Sequence, residues 1–89
     1  MDNSLTLNNK LKIIPNPNNG NFIVYLSKYF ENPVKLEITN ILGKLVYSKY
    51  INNSDISEIN LENLSPGVYY LNESSENSIQ TIKFIVLEN

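Results

Sequence analysis

The residues able to do chemistry in this 89-residue chain are nine carboxylates, seven lysines and six tyrosines, set among abundant asparagine. The acids are Asp2, Glu31, Glu37, Asp55, Glu58, Glu62, Glu73, Glu76 and Glu88. Glycoside hydrolysis needs two of them facing each other in a concave pocket. Glu58 and Glu62 could meet in space, but a domain this small rarely folds around such a pocket. No calcium-loop spacing links the acids. There is no Cys and no His. The usual zinc and transition-metal ligand sets are therefore excluded, as are Ser-His and Cys-His nucleophile pairs. The positive charges are all Lys, scattered along a chain of net charge -2, and form no basic run of the kind that marks a nucleic-acid surface. Neither catalysis nor a cofactor is expected. Tyr29, Phe30 and Tyr50 are the aromatics that could form a platform for sugars. Asn52, Asn63 and Asn72 each begin an Asn-x-Ser pattern, which arises readily by chance in a chain with sixteen asparagines.

The elements that must position these residues read as strands. Eighty-nine residues make one domain, and at that size only roughly 60–65% of the unfolded surface can be buried. A hydrophobic content of 42% is that of a globular chain. No apolar run approaches the length of a membrane span, and the first residues lack the charged-then-apolar pattern of a signal peptide. Residues 1–9 read as a linker and 10–89 as the domain.

Leu11-Lys12-Ile13 gives a first short strand. Pro15-Asn16-Pro17-Asn18-Asn19-Gly20 follows as a stiff loop, extended through the prolines and reversed at Gly20 by a positive φ. Asn21 to Leu26 is a strand apolar on both faces, hence central in its sheet. Ser27 to Pro33 is a connection whose aromatics cap the core. Val34 to Thr39 alternates, with Val34, Leu36 and Ile38 inward. Asn40-Ile41-Leu42-Gly43 turns the chain: Asn40 can bond the backbone two residues on, and Gly43 accepts positive φ. Lys44 to Tyr50 pairs back with Val46 inward, on the argument that the turn carries a bulge. Ile51 to Asp55 is loop and Ser57 to Leu61 a fifth strand. Asn72 to Ser78 is a polar hairpin loop. Gln80 to Leu87 is the last strand, with Ile82, Phe84 and Val86 on one face and Lys83, Ile85 and Leu87 on the other.

Between the fifth and last strands lies Leu64-Ser65-Pro66-Gly67-Val68-Tyr69-Tyr70-Leu71. Pro66-Gly67 predicts a type II turn from Ser65 to Val68. The Tyr two residues after Gly67 matches a tyrosine corner, with the Tyr69 phenol reaching back to Ser65 or Leu64. Seven short strands and no helix define an all-β, seven-stranded immunoglobulin-like β-sandwich.

Four of these motifs, in this order and spacing, resemble the C-terminal sorting domain of the type IX (Por) secretion system of Bacteroidetes: the Pro15–Gly20 loop, Asn40-Ile41-Leu42-Gly43-Lys44, the Leu64–Leu71 run, and Lys83 before an apolar end. The resemblance covers Leu11 to Asn89. It implies a secretion signal that carries an N-terminal cargo through the outer membrane, and a domain that is substrate and not enzyme. Its partners would be the translocon and a surface peptidase of sortase-like mechanism, which removes the domain and anchors the cargo. Its route would be periplasm, then cell surface or medium. The positions carried over are Pro15, Asn16, Pro17, Gly20, Asn40, Gly43, Gly67, Tyr69 and Lys83. Asn40 stands where the family often has Asp, and Ile14 where an aromatic is common. Lys83, Ile85 and Leu87 are an apolar-ended face that could dock to the machinery by strand addition; packing on the preceding strand or the N-terminal segment is the alternative. A generic immunoglobulin-like adhesion or carbohydrate-binding module is the other functional reading. Nothing suggests an oligomer.

Overall fold

The computed structural model describes residues 10–87. Within them run seven strands: β1 (Lys12–Ile14), β2 (Asn21–Phe30), β3 (Val34–Asn40), β4 (Leu45–Ile51), β5 (Ser54–Asn60), β6 (Gly67–Ser74) and β7 (Ile79–Val86). A three-stranded sheet has the order β1-β2-β5 and a four-stranded sheet the order β4-β3-β6-β7, with all neighbours antiparallel. The sheets form an immunoglobulin-like sandwich around one apolar core. Alternation selects that core. Phe22, Val24, Leu26 and Ile59 come from the smaller sheet, and Val34, Leu36, Ile38, Tyr69, Leu71, Phe84 and Val86 from the larger. Phe84 joins the layers. Its ring lies 5.0 Å from Phe22 in the opposite sheet and 5.8 Å from Tyr69 beside it, spacings at which aromatic pairs add to simple burial.

Several boundaries differ from the sequence reading, each for a physical reason. β2 does not stop at Leu26. Its pairing with β5 slips between Tyr25 and Phe30, so Leu26 and Ser27 are both buried and Phe30 returns to the core. A pattern broken by one irregularity looks like an ended strand. β6 likewise runs to Ser74, because Glu73 continues the inward series Tyr69, Leu71. The connection after β4 shrinks to two residues, with Asn53 at φ 53°. Ile38 and Thr39 of β3 oppose Tyr47 and Leu45 of β4, so Val46 is the bulged residue; Val46 and Tyr47 both pack on the core. The type II turn at Pro66-Gly67 is not formed. Gly67 has φ 154°, far from the roughly 80° such a turn needs. The left-handed residue is Asn63, at φ 63°. The prolines do not extend their loop either. Both peptide bonds preceding them are cis and the segment bends.

The outward face of β2 is less covered than its composition suggested. Tyr25 is exposed in a row between Lys12 and Ile56 on the neighbouring strands, with exposed Ile14 farther along the same face. β2 is central within its sheet, as expected, but no second layer covers that side among the described residues.

Candidate functional site

The register places the sequence-distant motif residues at one end of the sandwich. Asn40 opposes Tyr69, and Tyr69 opposes Phe84. Gly67 opposes Val86, and Thr39, Tyr70 and Lys83 form one row across three strands. The Pro15–Gly20 loop closes the same end.

That loop caps the edge of the last strand. The Asn18 N–H donates to the Ile85 carbonyl at 3.0 Å, and the Leu87 N–H donates to the Asn18 carbonyl at 2.7 Å. The Asn16 side-chain oxygen accepts from the Ile85 N–H at 3.0 Å. Asn18 thus stands beside Val86 as a one-residue parallel strand. It is buried, and its side chain is hydrogen-bonded through both its nitrogen and its oxygen. The Asn18 amide donates to the Pro15 carbonyl at 3.0 Å, and its oxygen accepts from the Gly20 N–H at 2.9 Å. The Gly20 carbonyl in turn accepts from the Leu61 N–H at 2.9 Å, tying the loop to the smaller sheet.

Beside it, Asn40 builds its turn alone. Its side-chain oxygen accepts from the N–H groups of Leu42 (2.9 Å) and Lys44 (3.0 Å), and its carbonyl accepts from Gly43 (2.9 Å). Gly43 sits at φ 85° with open space around the position of a Cβ, so backbone conformation and not crowding selects glycine there. The tyrosine corner is formed: the Tyr69 hydroxyl donates to the Ser65 carbonyl at 2.6 Å from a buried ring. The surface of this end is apolar, with Ile41 and Leu42 at the turn tip and Ile85 (38% exposed) and Leu87 (56%) at the end of the chain's described residues.

Strand addition at Ile85–Leu87 therefore needs correction. The backbone groups there are already paired with Asn16 and Asn18, and a partner strand cannot use them while the loop is in place. By alternation the same edge stays open at Ile79, Thr81 and Lys83. The side chains of Lys83 and Ile85 do not pack inward; they lie on the outer sheet face opposite Tyr70 and Val68.

The opposite end holds the aromatics considered for sugar binding. An open cleft of about 380 Å³ is lined by Tyr29, Asn32, Pro33, Glu76 and Asn77, among others. Phe30 is buried and lost to any platform, while Tyr29 and Tyr50 are exposed. The Lys35 ammonium lies 5.6 Å from the centre of the Tyr50 ring and occupies one of its faces. No cluster of three or more potential metal ligands occurs among the described residues. Residues 1–9, read from the sequence as a linker, and Glu88 and Asn89 lie outside the described residues.

Two residues of structural weight were missed. Glu73, assigned to a loop, is buried, and its carboxylate accepts from the Ser27 N–H at 2.8 Å and the Ser27 hydroxyl at 2.6 Å. It satisfies a backbone donor in the irregular part of β2 and clamps the two sheets together. The alternation Tyr69, Leu71, Glu73 was the available signal. Asn18 gave no sign of its burial, because the backbone partners that seat it, Ile85 and Leu87, are far along the chain.

Residues 12–88 match the family model described as the secretion system C-terminal sorting domain. The chain belongs to that family, and it is a sorting signal for type IX secretion. Over 75 residues (83% of the chain) it is 32% identical to the protein named ulvan lyase NLR42 of Nonlabens ulvanivorans, and spans 14% of that protein's length. A domain of this kind implies a cargo, the type IX machinery, and export across the outer membrane to the surface or medium.

Proposed function

We propose that the motif end is what the secretion machinery reads. In this reading Pro15, Asn16, Pro17, Gly20, Asn40, Gly43, Gly67 and Tyr69 build the surface, and Lys83, Ile85 and Leu87 present side chains from it. The observation that carries this is the convergence of four sequence-distant motifs on one end, where buried polar residues hold an exposed apolar surface in shape. Recognition proceeds through the outer-face side chains of the last strand, since its backbone edge is capped at Ile85 and Leu87. The chain has no catalytic role of its own. It travels as a monomer through the periplasm behind its cargo, binds no nucleic acid, and is a substrate for the sortase-like surface peptidase.

The test is export of a fluorescent reporter fused ahead of the whole chain, behind a signal peptide, in a bacterium with a working type IX system. Reporter on the surface or in the medium is the expected result. It should be lost in a Lys83→Ser, Ile85→Ser double variant, which removes outer-face side chains and leaves the core intact. Folded wild-type fusion held in the periplasm would overturn the proposal.

A further inference from the structure

Asn19-Gly20 is the single Asn-Gly pair in the sequence, and it lies within the loop that caps the last strand. We infer that Asn19 is a latent modification site: it is closed to succinimide formation while the loop is seated and converts to isoaspartate when the loop opens. The reaction needs the Gly20 amide nitrogen to give up its proton and attack the Asn19 side-chain carbonyl carbon. A carbon–nitrogen bond forms there, and the side-chain nitrogen leaves as ammonia with that proton. Water then opens the ring on either side, giving aspartate or, with the backbone rerouted through the side chain, isoaspartate.

The folded loop blocks the first step at the attacking nitrogen. The Gly20 N–H is buried and donates to the Asn18 side-chain oxygen at 2.9 Å, so solvent cannot readily remove its proton. The Asn19 oxygen accepts from the backbone and side-chain N–H groups of Asn21, each at 3.2 Å; such donors polarise the carbonyl, so the protection rests on the Gly20 amide. Asn19 itself is exposed, so water reaches the site once the nitrogen is released. The product matters because isoaspartate lengthens the backbone just before Gly20. It pulls Gly20 from Asn18 and from Leu61, and with them the cap on Ile85 and Leu87. Asn18 is therefore the positioning residue that protects its neighbour. This inference does not depend on what the motif end binds.

The test uses the 89-residue chain in mildly alkaline buffer, folded or unfolded in urea, with Asn19 conversion followed by peptide mapping and mass spectrometry. Conversion should be slower in the folded chain by roughly tenfold or more, each 1.4 kcal/mol of loop opening being a factor of ten. Asn18→Ala, folded by circular dichroism, should recover most of the unfolded rate. If that variant does not fold, wild type at sub-denaturing urea replaces it, where Asn19 conversion and Gly20 amide exchange should rise together. Equal rates in folded and unfolded wild type, an Asn18→Ala rate unchanged in a folded chain, or exchange and conversion moving independently would each overturn the assignment.

Discussion

At the scale of single residues, two polar side chains carry stability that can be measured directly. Tyr69 gives one hydrogen bond from a buried ring, to the Ser65 carbonyl. Tyr69→Phe keeps the ring against Phe84 and removes only the hydroxyl. It should cost about 1–2 kcal/mol, seen as a lower urea midpoint at unchanged slope. Asn40 separates shape from charge. Asn40→Ala strands the Leu42 and Lys44 N–H groups in an exposed turn and should cost about 1 kcal/mol, whereas Asn40→Asp keeps the acceptor and should fold as well as wild type. Both comparisons need only thermal melts, in which 1 kcal/mol is about 4–8 °C for a domain of this size. Tyr47 offers a check of another kind. Desolvation by burial raises its phenol above the ordinary value. The folded state therefore holds this proton after the unfolded state has lost it, and stability should fall as pH rises above about 10. Absorbance titration of Tyr47→Phe against wild type would identify the late-ionising phenol.

At the scale of elements, strand existence was legible and strand ends were not. The Val34–Thr39 alternation, the Asn40–Gly43 turn and the Leu64–Leu71 corner are local, and local pattern suffices for them. The far half of β2 was invisible because its register slips after Tyr25, and a period-2 reading cannot follow a residue through a bulge. The end of β6 was invisible because a Glu is a poor sign of burial unless its partner is known. That partner is Ser27, across the sandwich. Glu73→Gln retains one acceptor oxygen where the folded state uses two, so a buried donor goes unpaired; the cost should be about 1–3 kcal/mol. Glu73→Gln combined with Ser27→Ala should cost less than the sum of the single changes, since the hydroxyl bond is lost only once and the residue-27 N–H keeps an acceptor. Additivity in that cycle would show that the two residues act separately. The cap on β7 can be examined by hydrogen exchange. Asn16→Ala should speed exchange of the Ile85 amide and leave that of Val86, which faces β6, nearly unchanged.

At the scale of the molecule, the sandwich separates two ends with different contents. The Pro15–Gly20 loop, the Asn40–Gly43 turn, the tyrosine corner and the close of β7 share one end. The β2–β3 and β6–β7 turns occupy the other, together with the cleft beside Tyr29. The motifs were visible in the sequence, but their gathering was not, because it depends on strand order, and strand order is set by pairings between distant segments. This arrangement gives a test in which folding and recognition separate. A small tag inserted after Leu42 lies at the motif end, and the same tag inserted after Asn77 lies at the opposite end. Both sites are exposed hairpin turns, where insertions are tolerated best. Both fusions should melt cooperatively, the Leu42 insertion a little lower for its loss of the Asn40 contacts. If the motif end is the recognised surface, the Asn77 insertion should export its reporter as wild type does, and the Leu42 insertion should leave folded reporter in the periplasm. Equal export from the two would mean that the Asn40–Gly43 turn is no part of the recognised surface and that the motif end as a whole is not what is read. Equal failure would mean that both ends are needed for export and that the motif end is not the recognised surface by itself.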